Sequence, residues 1–542
     1  MIQSTMQEGS LSLTQIFRHG RLYADEAEVV SFDGKKSRRA SFGQVAERAE
    51  RLAAALKRLG IKKGGRVATL CWNNQEHIEA YLAVPCMGAV LHPLNLRLAP
   101  DQLAYVINHA DDRVIIVDSS LVPVLEKVKD KLKHVEHVIV TGTGDVGALG
   151  DVLRYEALLA KEKPGFDWPE LEETTAAAMC YTTGTTGEPK GVVYSHRSIY
   201  LHSLAEWGAF SLKQGDRLLL IVPMFHVLSW GLPYTAWMVG CTPLLPGKFL
   251  QAEPLTLFMK AEKPTFAAGV PTIWSDVLQH LDEHPVDLSS LELVICGGAA
   301  VPRSLMEEFE KKHGVRMIQA WGMTETSPIA AVAFPPKKAP PREVMNWRAK
   351  TGRVVAGVEL RIVDDKGKTL PPDGKAVGEI EVRGPWITAS YYKEPAPDKF
   401  NDGWLKTGDV GNVLPNGFVQ ITDRSKDVIK SGGEWISSVE LEGALMGHPA
   451  VVEAAVIGIP DPKWDERPLA AVVLRKGESA TRDDLRTYLK DKVAKFALPE
   501  RWVFLEEIPK TSVGKFDKKV LRSMYKDGKL EAAELEPAGR KG

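Results

Sequence analysis

The chain has 542 residues, more than one hydrophobic core usually supports, so two or more domains are expected. Apolar residues make up 44% and charged residues 26%, the balance of an ordinary soluble globular protein. With 69 basic and 70 acidic side chains the formal charge is -1, which excludes a global field able to steer the protein onto nucleic acid or an acidic membrane.

In chain order, residues 43–59 read as an amphipathic helix. Val45, Ala49, Leu52, Ala53, Leu56 and Leu59 share one face, and Gly60 ends it. A buried strand at 66–71, a helix at 77–88, a strand at 89–92, a helix at 101–110 and a strand at 114–117 follow. The lysine-rich run 127–133 reads as a solvated amphipathic helix, because Val124, Val128 and Leu132 keep helical spacing through it. A strand at 137–140 completes an alternation that predicts an α/β fold with a mainly parallel sheet. Strands at 218–222 and 291–296 resume the pattern. From Thr351 short alternating runs (359–363 and 378–383) suggest a smaller antiparallel β unit. Beyond Asp423 a compact α+β stretch carries a strand at 451–459 and a helix at 481–493. The expected organisation is a large N-terminal domain, 1–422, and a small C-terminal domain, 423–542.

The five cysteines (Cys71, Cys86, Cys180, Cys241, Cys296) form a scattered odd set, which disfavours a disulfide scaffold or zinc site. The first ten residues lack a secretory core, no run of about 18 apolar residues exists, and Arg540-Lys541-Gly542 is not a peroxisomal address. A cytoplasmic protein with no integral membrane segment is expected.

The strongest local signal is Tyr181-Thr182-Thr183-Gly184-Thr185-Thr186-Gly187-Glu188-Pro189-Lys190-Gly191. Its glycines let the backbone turn tightly and aim N–H groups at an anion, its threonines add hydroxyls, and Lys190 adds charge. The composition suits a polyphosphate, although the Walker spacing is absent. This string resembles the phosphate loop of the adenylate-forming superfamily, which holds acyl-CoA synthetases, peptide-synthetase adenylation domains and firefly-type luciferases. Four further strings resemble that superfamily's other motifs in the same order. They are Gln319-Ala320-Trp321-Gly322-Met323-Thr324-Glu325-Thr326, then Gly403 to Asp409, then Asp423 to Glu434, and last Pro509-Lys510-Thr511-Ser512-Val513-Gly514-Lys515.

The resemblance implies two half-reactions. An acid and ATP give acyl-AMP and pyrophosphate, and coenzyme A then displaces AMP. ATP brings about four negative charges, so a carboxylate attack needs them neutralised. The resemblance gives that task to Lys515, Thr324 and Glu325, with Mg²⁺ held by Glu325 and Thr182. It places Thr182, Thr183, Gly184, Thr185, Thr186 and Lys190 on phosphates, and Gly298, Ala299, Gln319, Ala320, Trp321 and Gly322 around AMP. Asp409 and Arg424 would meet the ribose, with Lys426 and Lys430 nearby. Trp321 stands where tyrosine is commoner, keeping a stacking face but changing its polar edge. Asp423 is the expected hinge. Rotation about it would withdraw Lys515 and present Lys430, Ser431, Gly432, Gly433 and Trp435 for the thiol step.

The resemblance also places the acyl pocket at Phe225, His226, Trp230, Gly269, Val270, Gly297, Gly298 and Met323, with His226 close to the substrate carboxylate. Trp230 resembles a gate to a fatty-acyl tunnel, and a buried structural tryptophan is the competing reading. No acidic anchor for an α-amine stands near Trp230, which favours an apolar acid. The stretch 426–438 most resembles bacterial medium- and long-chain fatty acyl-CoA synthetases, whose long-chain members form homodimers. A short or methylthio-alkanoate, an aromatic acid, or a luciferase-type oxygenation are the alternatives.

Overall fold

The protein is described by a computed structural model that covers residues 2–182, 188–431, 434–511, 514–530 and 533–534. Among these residues three sheets organise the chain. The first runs Leu153–Arg154, His137–Thr141, Asp112–Asp118, Arg66–Leu70, Val90–Pro93, Ala176–Tyr181, Gly191–Ser195. All its pairs are parallel except the last, which brackets the glycine- and threonine-rich loop with Tyr181 opposite Gly191. The helix Phe42–Arg58 packs its apolar stripe against the helices Gln75–Cys86 and Tyr155–Leu159. Ser41 opens this helix with a capping box, its hydroxyl accepting from Gln44 N and Gln44 Oε1 accepting from Ser41 N.

The second sheet has fourteen strands, with Leu293–Gly297 between parallel neighbours Phe266–Gly269 and Arg316–Gly322. Register sets Gly269 beside Cys296 and Gly297 beside Ala320, so the carboxyl ends of three parallel strands form one edge. Such an edge is where ligands bind in α/β sheets. The third sheet is built from Ile429–Ser431, Glu434–Ile436, Val451–Asp461, Asp465–Leu474, Arg501–Phe504 and Ala533–Glu534. It has its own core around Ile436, Leu441, Val456, Leu485 and Trp502.

The structure differs from the sequence expectations in three places. The antiparallel strands after Thr351 are not a separate sheet. They continue the fourteen-stranded one, because Ile329–Val332 turns back on Arg316–Gly322 and pairs onward through Gly352–Val354 to Phe418–Arg424. The lysine-rich run is not an α-helix either: the helix is Val122–Glu126, and Lys129–Lys131 is a 3₁₀ turn. Val122, Leu125 and Val128 are buried at three-residue spacing, which 3₁₀ geometry serves as well as α. The helix expected to reach 493 ends at Leu489, capped at its start by Thr481.

Candidate active site

Lys515 is carried by a tight loop. Thr511 N donates to Lys515 O at 2.7 Å, Lys515 N donates to Thr511 Oγ1 at 3.2 Å, and Gly514 takes a left-handed φ of +79°. Thr272 Oγ1 donates to Gly514 O at 3.4 Å, seating the loop at the start of the Pro271–Glu283 helix. A Cβ built on Gly298 would lie 3.5 Å from Lys515 Cε, 3.4 Å from Val270 Cγ1 and 4.0 Å from Trp230 Cζ2. Three distant segments thus converge on one glycine at the carboxyl edge of the large sheet.

Asp409 and Arg424 face each other on adjacent strands, and the guanidinium Nε lies 3.2 Å from Asp409 Oδ1. Trp321 Nε1 donates to Asp409 Oδ2 at 2.9 Å, so the indole's polar edge is anchored on the residue expected to hold ribose. Asp409, 4% exposed, has both oxygens engaged and keeps further lone pairs for hydroxyl donors. Gln319 is a wall rather than a free ligand group, since its Oε1 accepts from Val301 N at 2.7 Å and its Nε2 donates to Lys350 O at 3.1 Å. Tyr194 hydroxyl donates to Thr324 O at 2.9 Å, and Tyr391 hydroxyl donates to Glu325 Oε1 at 2.7 Å. Lys190 lies over the Tyr391 ring at 5.1 Å and pairs with Glu394 at 2.6 Å. Thr182 and Lys190 close the loop's base, Thr182 N donating to Lys190 O at 2.9 Å.

The segment expected to border the acyl chain has an unusual backbone. Val227, Leu228, Ser229 and Trp230 have φ of 47°, 56°, 52° and 59°, a full left-handed turn of non-glycine residues. Each left-handed residue costs roughly 1–2 kcal/mol, so the surrounding bonds must hold the turn in place. Ser229 Oγ donates to Val222 O at 2.7 Å, and Met224 N donates to Asn73 Oδ1 at 2.9 Å. The turn aims the Trp230 indole at Gly297, where a Cβ would lie 3.3 Å from its Cη2. Gly231 then passes the His202 ring so closely that a Cβ would lie 2.7 Å from Nδ1. Gly269 serves Trp274 in the same way, and a Cβ on Gly322 would overlap Pro328 O. Phe225 packs in the core beside Tyr181 and Thr182, and Met323 packs beside Trp321.

Thr183, Gly184, Thr185, Thr186, Gly432, Gly433 and the Trp435 side chain lie outside the described residues. The strand carrying Lys430 and Ser431 pairs with Glu434–Ile436 along its length and meets Asp465–Leu474 through Ser431–Asp465. Side chains support it there: Glu466 Oε2 accepts from Lys430 N at 2.9 Å, and Arg467 Nη1 donates to Ser431 Oγ at 3.0 Å. Sequence reasoning missed Tyr194, Tyr391, Glu466 and Arg467. The Tyr391-Tyr392 pair was the only visible signal, and it says nothing about Glu325 without the fold.

Burial, with a smaller push from the Arg424 charge, pulls Lys515 down to about 8, although Asp409 and Glu325 act against it. Burial, reinforced by Lys515, lowers His226 to about 3, so this imidazole is neutral at working pH. Burial followed by the Glu325 charge raises the Tyr391 phenol, keeping it a hydrogen-bond donor. An open cleft of about 490 Å³ lies between Tyr194, Ser198, Trp386 and Tyr391 without touching Lys515 or Asp409. The residues expected to react converge away from that cleft, around Gly298 and Asp409.

Known proteins resemble the chain over almost its whole length. The family model of AMP-binding enzymes matches residues 16–392, and that of the AMP-binding enzyme C-terminal domain matches 440–515. The chain belongs to the AMP-binding enzyme family, among its acyl-CoA ligases. A long-chain-fatty-acid–CoA ligase of Thermus thermophilus is 45% identical, covering 97% of both chains. A 3-methylmercaptopropionyl-CoA ligase of Ruegeria lacuscaerulensis is 42% identical over 96% of this chain and 98% of its own. Among solved structures, an anthranilate CoA ligase in complex with anthranoyl-AMP superposes with a TM-score of 0.88 at 28% identity, covering 97% and 100% of the two chains.

The donor set of this acyl-CoA ligase fits a Mg²⁺ ion brought in with ATP. Glu325 Oε1 is held by Tyr391, while Oε2 has no hydrogen-bond partner among the described residues. No cluster of three metal-ligating side chains exists among them. One carboxylate plus substrate phosphates and waters is how Mg²⁺ is commonly held. No helix among the described residues is long and apolar enough to cross a membrane.

Proposed function

We propose that the protein is an ATP- and Mg²⁺-dependent fatty acyl-CoA synthetase for medium- or long-chain acids. Its first step forms acyl-AMP and pyrophosphate, and its second forms acyl-CoA and AMP. The observation that carries this reading is the convergence of the Lys515 stem, Val270 and Trp230 on Gly298, with the Lys515 charge felt by Asp409 and Glu325. In this reading the ammonium would stand between the apolar side chains of Val270 and Trp230 and the carboxylates expected to face the nucleotide. There it can stabilise the carboxylate oxygen attacking the α-phosphorus and the charge that builds as pyrophosphate leaves. Trp321 and Asp409 would position adenosine, and neutral His226 would lie near the acid. Mg²⁺, held by Glu325 and Thr182, would neutralise phosphate charge. The apolar Trp230 wall and the Thermus relative support a fatty acid.

The domain boundary is assigned to Asp423, separating 1–422 from a mobile 423–542. Rotation there would exchange Lys515 for the Lys430–Trp435 side, where coenzyme A would react. A cytoplasmic homodimer is the assembly proposed. The Ruegeria relative favours a second substrate reading, a short methylthio-alkanoate.

The test is coenzyme-A-dependent AMP release across acids from acetate to palmitate, with 3-methylmercaptopropionate and benzoate, for the parent enzyme and Trp230→Ala. Each buried methylene contributes about 0.8 kcal/mol, so kcat/KM should rise roughly fourfold per carbon until the tunnel is full. Trp230→Ala should flatten that dependence. A maximum at 3-methylmercaptopropionate would replace the fatty-acid reading with the second one, and no activity on any acid would refute both.

A further inference from the structure

Three residues beyond Lys515 the chain enters the helix Lys518–Lys526, and its first side chain turns inward. Lys518 is 11% exposed, with Nζ 2.5 Å from Ser438 Oγ and 2.7 Å from Glu442 Oε1. Ser438 opens the helix Ser438–Leu445, and both its N–H, at 2.6 Å, and its hydroxyl donate to Asp423 Oδ2. Glu442 Oε1 also accepts from Val456 N at 2.8 Å, tying that helix to the small sheet. Asp423 belongs to the other side. It lies on Phe418–Arg424, paired with Val410 of the large sheet. Asp423 is 1% exposed and Ser438 0%.

We propose that Lys518 is a positioning residue that holds the small domain in its adenylating orientation by locking Ser438 onto the hinge carboxylate of Asp423. An ammonium has only donors, so it occupies the acceptor side of Ser438 Oγ and leaves that hydroxyl its own proton for Asp423. The Lys518 charge between Glu442 and Asp423 also lets two buried carboxylates stay close together. Rotation about the bonds after Asp423 carries Ser438 and Lys518 away and strips two hydrogen bonds from a buried carboxylate. The same short piece of chain therefore presents Lys515 at one end and grips the hinge at the other. Arg522, one turn further on, pairs with Asp427 at 2.7 Å and fixes this helix to the chain just beyond the hinge.

The proposal rests on the two-orientation reading, so the test separates the two. Single-turnover pyrophosphate release without coenzyme A reports the first step, and conversion of supplied acyl-AMP with coenzyme A reports the second. Lys518→Met should slow the first about tenfold, the loss expected for a hydrogen bond to a charged group, and leave the second unchanged or faster. Ser438→Ala, a gentler change that keeps the backbone N–H bond, should give the same split to a smaller degree. Lys518→Arg should restore part of the first step. Equal slowing of both steps by Lys518→Met and Ser438→Ala, or no effect on either, overturns the role of Lys518. Lys515→Ala is the control. If it fails to separate the two steps, the two-orientation reading falls; if it separates them while the Lys518 and Ser438 variants do not, only the present proposal falls.

Discussion

Raising the pH should switch off acyl-adenylate formation through Lys515. Burial lowers this ammonium from 10.5 to about 8 in the free enzyme. About nine-tenths of it is charged at pH 7, half at pH 8 and about one-tenth at pH 9. If the charged form is the active one, kcat/KM for ATP should fall about tenfold per pH unit above 8, because that ratio reports the free enzyme. The break in kcat should lie higher, since bound triphosphate favours the ammonium. The assay is acid-dependent pyrophosphate release in the absence of coenzyme A. Lys515→Arg provides the control: its guanidinium does not titrate in this range, so the profile should be flat on a lower plateau. Stability responds with the opposite sign. Between about 8 and 10.5 the unfolded chain binds more protons at this residue than the folded one, so folding gains from rising pH while activity is lost. A flat kcat/KM profile up to about pH 9.5, or the same break in Lys515→Arg, would refute the assignment.

Two further outcomes follow from hydrogen bonds at the proposed nucleotide site. Trp321→Phe keeps a stacking ring but removes the donor to Asp409 Oδ2, at a cost of about 1 kcal/mol; KM for ATP should rise roughly fivefold with kcat less affected, and an unchanged KM would count against Asp409 as the ribose anchor. Tyr391→Phe frees Glu325 from its hydroxyl donor, and the Mg²⁺ concentration for half-maximal adenylation should rise roughly threefold; an unaltered Mg²⁺ requirement would remove Tyr391 from the site.

Local signals in the chain carried much of the architecture. The stripe from Val45 to Leu56 and the capping residues at Ser41 specify the helix Phe42–Arg58 without reference to the rest of the fold, because side chains three and four apart share a face. Strands 359–363 and 378–383 have the bounds their alternation implies. The five motif strings likewise carry the family, because each concentrates unusual residue types in a short window. Where apolar spacing is ambiguous, as at Val122, Leu125 and Val128, the sequence does not distinguish an α-helix from a 3₁₀ turn, and packing on the Asp112–Asp118 side of the core decides.

Tertiary structure alone decided the rest. It brought Lys515 and Trp230 together on Gly298, hung Trp321 on Asp409, and set Tyr391 on Glu325. These contacts join residues far apart in the chain, and no periodicity encodes them. The left-handed turn at Val227–Trp230 is the clearest case. Its residues include none that favours positive φ; the Ser229 hydroxyl on Val222 O, the backbone bonds Ser229 N to His226 O and Gly231 N to Leu228 O, and the close packing on Gly297 hold it there. The sequence by itself determined which chemical groups were available. The fold determined which of them meet, because a site built from several strand ends and a second domain exists only after long-range packing has been completed.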